Sequence, residues 1–251
     1  MKTASLALAG VFCLALAAPA LAQESPAPTL YTYVAEWGVP RAQWTDMTKF
    51  MDAERGVLDK LVDDGTLVAY GTFQNQVHTL EGITHGDWFE ATSIAGILKA
   101  LATLGPSSTS SPVLAASRHQ DFLFQSTVYG SRGGSYHQGY LWAAHFTIKP
   151  GQLGTWMRTF TNFVRPVLDQ LMADGTILHY QLHTDVVHSP GSEETVDYAY
   201  VTSGPDGIDK FRAAVAAAEA RNSAIAPSLG PIEIPAGHFD MLAQVGVMRL
   251  K

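Results

Sequence analysis

The chain has 251 residues, a formal net charge of −7, 47% hydrophobic residues and a single cysteine. This composition excludes a disordered chain, a collagen-like repeat and a disulfide scaffold, and its acidic balance argues against nucleic acid as a partner. The length suits one large domain or two of about 100 residues each. No phosphate-binding loop, dinucleotide fingerprint, nucleophile elbow or paired Cys-x-x-Cys motif identifies a reaction.

Residues 1–22 have the pattern of a cleavable bacterial secretory signal. Lys2 is followed by an apolar run from Ala4 to Ala18, which is too short to span a bilayer, and then by Ala20-Leu21-Ala22. We therefore expect export to the periplasm or the medium, with residues 23–29 as a short linker at the new N-terminus.

Removal of this signal changes the chemistry of the remaining chain. The only cysteine, Cys13, lies within the signal, so the mature chain has no thiol, and its net charge becomes −8. No later apolar run is long enough for a transmembrane helix, so we expect no membrane partner after cleavage.

The rest of the chain contains an internal repeat. With an offset of 110 residues and no gap, positions 31–93 align with positions 141–203, most densely at Val57–Thr66 and Val167–Thr176. Two copies are too few for a solenoid, so we expect the two units to pack on each other. The predicted boundaries are 30–129 for repeat 1, 130–139 for a Gly/Ser-rich linker and 140–251 for repeat 2.

Both repeats predict the same order of elements, namely strand, helix, strand, strand, helix, strand. The first helix ends at Gly65 or Gly175, and Gly56 and Pro166 share a column within it that predicts a kink. Ser93 and Ser203 are predicted caps of the second helix. The predicted strands cover 31–37, 66–73, 87–92 and a segment from His119 in repeat 1, and 141–148, 176–183, 197–202 and a segment from His238 in repeat 2. The predicted second helices cover 94–104 and 208–220, and residues 105–117 are a predicted loop.

This order, duplicated in one chain, predicts an α+β fold with two antiparallel sheets whose free faces bury each other. It resembles the ferredoxin-like dimeric α/β-barrel superfamily, which includes antibiotic-biosynthesis monooxygenases, muconolactone isomerases, stress-responsive barrel proteins, EthD-like and NIPSNAP-like proteins, chlorite dismutases and dye-decolourising peroxidases. The resemblance implies one intramolecular barrel built from two βαββαβ repeats, with a ligand between the sheets or at a barrel mouth. It covers nearly all of the mature chain and rests on element order and duplication, without a family motif.

The sharpest candidate site is a His-x-Asp pair that occurs in both repeats, as His119/Asp121 and His238/Asp240. Residues two apart on a strand share a face, so imidazole and carboxylate can form an acid–base dyad or share a metal ion. The expected location is a wet cavity wall between the sheets. The alternative is that each pair fixes the loop before its strand by hydrogen bonds.

A second candidate group lies in repeat 2, where His179 and His183 share a strand face with Gln181 because Leu178, Tyr180 and Leu182 take the other face. His145, aligned with Ala35, could join them from a neighbouring strand and complete a metal site. Satisfied or solvated histidines on a half-buried sheet are the alternative.

Other polar and aromatic residues complete the candidate set. Glu36 is either a buried acid with a raised pKa or an exposed residue, and His78 and His188 fall in predicted hairpins. The aromatic residues expected to line or flank the space between the sheets, or to form ordinary core, are Tyr31, Tyr33, Trp37, Trp88, Trp142 and Phe146.

Three functions fit these patterns. The first is an exported enzyme acting on a small apolar or aromatic molecule by His/Asp acid–base chemistry, as a monooxygenase, isomerase or lyase without an organic cofactor. The second is a haem- or metal-dependent oxidoreductase of the same superfamily, with His145, His179 or His183 as ligand. The third is a noncatalytic binding or stress-response protein. The expected partner is a small molecule, and the expected state is a monomer or homodimer.

Overall fold

The computed structural model describes residues 28–77, 82–187, 194–222 and 229–251. The predicted signal and both predicted hairpin histidines, His78 and His188, lie outside the described residues. None of the described helices is both long and apolar enough to cross a membrane.

Each repeat has the predicted β-α-β-β-α-β order. The elements of the first part of the chain are β1 (Leu30–Gly38), α1 (Trp44–Asp63), β2 (Ala69–Asn75), β3 (His85–Ala91), α2 (Ile94–Ser110), α3 (Pro112–Ala115) and β4 (Arg118–Ser131). Those of the second part are β5 (Gly134–Tyr136), β6 (Gly139–Ile148), α4 (Leu153–Thr159), α5 (Arg165–Ala173), β7 (Ile177–Asp185), β8 (Glu194–Thr202), α6 (Asp206–Arg221) and β9 (Glu233–Leu250). A 3₁₀ turn, Arg41–Gln43, precedes α1, and a π-helical turn, Phe160–Val164, joins α4 to α5.

Eight antiparallel strands close into one barrel in the order β2-β3-β1-β4-β7-β8-β6-β9, and β9 pairs back with β2. The α+β class and the tandem ferredoxin-like barrel are therefore confirmed. β5 adds to the edge of β9, and β4 runs on to Ser131, so the segment expected as a linker is largely extended structure.

Three apolar cores hold the fold together. The helices of repeat 1 cover one core, which contains Leu58, Tyr70 and Phe89, and the helices of repeat 2 cover a larger aromatic one. The barrel interior contains Trp88, Phe73 and a row of aliphatic side chains from β9. Burying one such side chain contributes roughly 1.5–3 kcal/mol, so the barrel needs no disulfide.

The offset of 110 residues holds in the second strand of each repeat but not in the strands beside it. Tyr70 and Tyr180, 110 residues apart, both donate a hydrogen bond to an aspartate 11 residues earlier. Tyr33, however, faces the helices beside Phe89, and the equivalent position beside Tyr200 is Trp142, an offset of 109. Repeat 2 thus holds one extra residue between its first and second strands.

The π-helical turn accommodates that extra residue. A π turn inserts one residue into an α-helix, and this one ends just before Pro166, which has no N–H to continue the regular bonding pattern. The kink predicted at this column is therefore a π turn in repeat 2. In repeat 1 the helix α1 runs unbroken through Gly56.

The second helices differ from their predictions in two ways. α2 continues through Gly105 and Pro106 to Ser110, so the predicted loop 105–117 is wrong. The hydroxyls of Ser107 and Ser108 donate to the Leu104 carbonyl and satisfy the backbone where the proline interrupts it.

The predicted serine caps also have different outcomes. Ser93 caps α2 by accepting a hydrogen bond from the Gly96 amide, as predicted. Ser203 does not cap α6, which begins at Asp206 after Pro205. The fixed φ of proline suits a helix start without a side-chain cap.

Candidate functional site

A cavity of about 390 Å³ lies between the helices and the sheet of repeat 1. Its apolar lining includes Phe89, Leu101, Leu104 and Leu114. Its polar lining includes Tyr33, Glu54, Asp87 and His119. A mostly apolar cavity with a few convergent polar groups is the usual form of a small-molecule site.

The first His-x-Asp pair lies at the edge of this cavity. His119 Nε2 is 2.8 Å from Asp121 Oδ1, and the Tyr33 hydroxyl donates to the same oxygen at 2.5 Å. The His119 ring stacks on Trp37 with their planes 7° apart. With an Nε2 proton held by Asp121, the Nδ1 atom of His119 carries the lone pair that can accept a proton.

Two carboxyl groups line the cavity beside the helices. Burial raises the pKa of Asp87 well above its usual range, and the nearby carboxylates of Glu54 and Asp121 raise it further. Burial also raises the pKa of Glu54, although hydrogen bonds from Ser107 and Ser108 oppose the change. A protonated Asp87 is therefore available as a hydrogen-bond donor or general acid.

We expect Asp87→Asn to stabilise the fold at neutral pH. The unfolded carboxyl ionises at lower pH than the folded one, so Asp87 reduces stability as the pH rises from about 4 towards its folded pKa. The asparagine cannot ionise. Urea titrations at several pH values should show a gain that grows with pH, whereas an equal gain at pH 3 and pH 8 would contradict the assignment.

The helix–sheet layer of repeat 2 contains the same motif but is filled. Trp156, Phe160, Tyr198 and Phe211 pack there in mutual ring contact. The Glu54 position holds Val164, aligned through Arg55 and Arg165. The two repeats have therefore diverged in the layer where repeat 1 has its cavity.

The second pair is a structural counterpart of the first. His238 Nε2 is 3.6 Å from Asp240 Oδ2, and the Trp142 indole donates to Asp240 as Tyr33 does to Asp121. The His238 ring stacks on Phe146.

Both His-x-Asp pairs face the helices, so their predicted location between the sheets is wrong. Leu123 and Leu242, which continue the two faces, pack in the helix-covered cores. Of the six aromatic residues expected near the space between the sheets, only Trp88 points into the barrel. A side-chain period of two gives the residues that share a face but does not indicate which face is inward.

The β7 histidines face the barrel interior, as predicted. His183 Nε2 lies 2.5 Å from Gln181 Oε1, and His179 Nε2 lies 2.9 Å from Glu90 Oε1 across the barrel. Leu178 also points inward, contrary to prediction, because a register shift between Ile177 and His179 interrupts the alternation. Repeat 1 has Gly71 opposite Gln181, where a Cβ would meet the Trp88 ring at 2.2 Å.

His145 forms a separate pair at the barrel mouth. Its Nδ1 atom is 2.8 Å from Asp197 Oδ1, and its counterpart in repeat 1 is Glu36 rather than Ala35. The carboxylates of Asp197 and Asp185 raise the pKa of His145 although burial lowers it. Glu36 is half-buried and accepts a hydrogen bond from Gln120 at 2.6 Å.

The barrel histidines make the fold sensitive to acid. Burial, with a smaller contribution from His179, lowers the pKa of His183 to about 3. Unfolding then takes up a proton below pH 6.5, so stability falls by about 1.4 kcal/mol per pH unit as the pH drops from 6.5 towards 3. We expect a shallower loss for His183→Gln, which keeps a donor near Gln181, and thermal unfolding from pH 7 to 4 measures it. Parallel curves for the two proteins would contradict this origin.

Comparisons of sequence found no matching family model and no matching curated protein. Comparisons of structure did find relatives. A proposed monooxygenase from Fusobacterium nucleatum matches with TM-score 0.65 and 9% identity over 89% of this chain and 95% of that one. One from Lactobacillus acidophilus matches with TM-score 0.66 and 7% identity over 88% and 96%. An anthrone oxidase-like protein matches with TM-score 0.53 and 11% identity over 89% and 94%.

This is the ferredoxin-like α/β-barrel fold. The predicted resemblance to that superfamily is confirmed, and at these identities the likeness is one of fold. Chlorite dismutases also match in structure, which makes haem the prosthetic group to test against the side chains.

The described residues do not fit a haem group. The haem members of the superfamily use a proximal histidine on a helix, but every described histidine lies on a strand or in the turn at His137. The helix–sheet layer of repeat 2 is filled by aromatic rings. In the described part of the chain, no three His, Cys, Asp or Glu side chains converge to hold a metal ion, so His145, His179 and His183 are not brought together.

Sequence reasoning missed three residues of the cavity as site residues, namely Tyr33, Glu54 and Asp87. Glu54 carried a usable signal, because it lies in the apolar stripe of α1 with Met47, Leu58 and Leu61. Asp87 carried none, because its match to Asp197 in the ungapped alignment concealed that the two side chains face opposite sides of the sheet.

Proposed function

We propose that this protein is an enzyme that removes a proton from a small, flat, largely apolar ketone or phenol in the repeat 1 cavity and lets the resulting anion react with dioxygen. One observation carries the proposal. An apolar cavity has a basic imidazole, oriented by a carboxylate, at one edge and an uncharged carboxyl group, Asp87, in its lining. Removing a proton from carbon requires such a base, and the anion that forms requires a nearby donor.

Each residue has a distinct role. His119 Nδ1 accepts the proton, and Asp121 orients the ring and stabilises the imidazolium that forms. Asp87 donates a hydrogen bond to the oxygen on which negative charge develops. Phe89, Leu101 and Leu104 exclude water, which strengthens these electrostatic interactions.

An anthrone is a suitable test substrate, because the matched anthrone oxidase-like protein shares the fold. Its central CH₂ loses two hydrogens, one oxygen atom of O₂ becomes the new carbonyl and the other leaves as water. The substrate itself is the reductant, so the reaction balances as anthrone plus O₂ giving anthraquinone plus water. No organic cofactor is required.

Oxygen-electrode and mass-spectrometric assays with ¹⁸O₂ test the proposal. We expect one O₂ consumed per quinone formed and one labelled carbonyl. Proton exchange at the CH₂ under argon without oxygen uptake in air would instead indicate the isomerase or lyase alternative. Recovery of bound, unchanged and unexchanged ligand would favour a noncatalytic binding protein.

Export is a separate proposal, which rests on the pattern of residues 1–22. We expect the chain recovered from the periplasm or medium to begin at Gln23, as measured by intact-protein mass. A full-length chain retained in the cytoplasm would contradict it. The small-molecule partner and the monomeric or homodimeric state are proposals of the same standing.

A further inference from the structure

A second cavity, of about 500 Å³, lies on the other side of α1, between that helix and the segment 107–113. Its apolar lining includes Phe50, Val57 and Val113. Its rim carries an exposed ion pair, Lys49 Nζ to Asp46 Oδ1 at 3.2 Å. We call this space the cleft, to distinguish it from the catalytic cavity at His119.

Glu54 lines both the cleft and the catalytic cavity. Its side chain is buried, with only 8% of the residue exposed, and its Oε1 atom accepts a hydrogen bond from Ser107 Oγ at 2.6 Å. The buried stripe of a helix normally holds apolar residues, as Val164 shows at the aligned position in repeat 2. A carboxyl group retained at this position costs stability, and such residues concentrate at functional sites.

One segment of chain forms the outer wall of both spaces. Ser107, Ser110 and Val113 face the cleft, whereas Ser108 and Leu114 face the catalytic cavity. The side chains of Glu54 and its neighbouring serines are therefore the partition between two adjoining compartments, and a ligand longer than one compartment would pass this partition.

We propose that the cleft is a second binding compartment, which takes the distal rings of an extended, flat aromatic substrate whose reacting ring lies beside His119. Glu54 hydrogen-bonds a hydroxyl or carbonyl group of that substrate at the junction. This inference rests on the proposed function, because it assigns the substrate class of the same site. It predicts fused aromatic ketones or phenols of three or four rings as better ligands than two-ring analogues.

The test compares two probes, 1,4-naphthoquinone with two fused rings and 5,12-tetracenequinone with four, by quenching of tryptophan fluorescence. Ala53 is an exposed residue that lines only the cleft, so Ala53→Trp fills the cleft. We expect roughly ten-fold or greater loss of affinity for the four-ring probe, with little change for the two-ring probe. Asp52→Trp, on the same helix but outside both linings, is the matched control.

Ser110→Trp fills the cleft from the opposite wall and should have the same selective effect. Equal affinities for both probes in the wild type, or an equal loss in Ala53→Trp and Asp52→Trp, would overturn the second compartment. Turnover is measured separately. Length-selective binding without oxygen uptake would overturn the proposed reaction and leave the compartment supported, whereas oxygen uptake without length selectivity would do the reverse.

Discussion

Replacing His119 with alanine is expected to lower kcat/KM for the aerobic oxidation by about 10²–10⁴-fold, the usual contribution of a positioned general base. The imidazole is the only basic side chain that lines the catalytic cavity among the described residues. Binding of a nonreacting aromatic ketone should change little, because the apolar lining remains. Steady-state oxygen uptake and equilibrium fluorescence titration measure the two quantities.

Repeat 2 supplies the matched control. His238 occupies the same position in the same motif, beside Asp240 and a ring, but it borders a filled layer. His238→Ala should retain turnover close to that of the wild type. Equal losses in both variants, or a larger loss in His238→Ala, would place the chemistry elsewhere.

Asp121→Asn separates positioning from proton transfer. Asparagine can still accept a hydrogen bond from His119 but cannot stabilise an imidazolium by charge. We therefore expect a fall in kcat with little change in KM, smaller than the loss in His119→Ala.

The second large effect is expected inside the barrel. Glu90 and His179 form a buried pair with 2% and 7% of their side chains exposed. Glu90→Ala should cost about 3–5 kcal/mol of unfolding free energy, because it leaves His179 buried without its partner. Urea denaturation measures the change.

A double-mutant cycle identifies the origin of that cost. The double variant Glu90→Leu/His179→Leu should be less destabilised than Glu90→Ala, since two apolar side chains leave no uncompensated charge. Breaking the exposed Asp46–Lys49 pair should leave the unfolding midpoint almost unchanged. Additive losses at Glu90 and His179 would show that the two side chains do not interact.

The barrel could be predicted because duplication and element order constrain topology strongly. Hydrophobic alternation and turn residues predicted all eight barrel strands, and the repeat required the two sheets to cover each other. Register was less accessible. The ungapped alignment set His145 beside Ala35, but one residue inserted at the π turn moves its match to Glu36 and reverses the face of that strand.

The site was only partly predictable for a related reason. The motif identified His119 and Asp121, but their neighbours come from distant segments. Tyr33 reaches them from β1, Asp87 from β3 and Glu54 from α1. Only the closed barrel and its helices bring these side chains together, and only the difference in packing between the repeats shows which copy has a cavity.

The location of the ligand is the central claim, and the five tryptophan indole signals test it directly. In ¹⁵N NMR spectra, titration with anthraquinone should shift the indole signal of Trp37, which lines the catalytic cavity, and leave that of Trp156 in the filled layer of repeat 2 unchanged. A shift confined to Trp142 and Trp156, with Trp37 unaffected, would contradict a site in repeat 1.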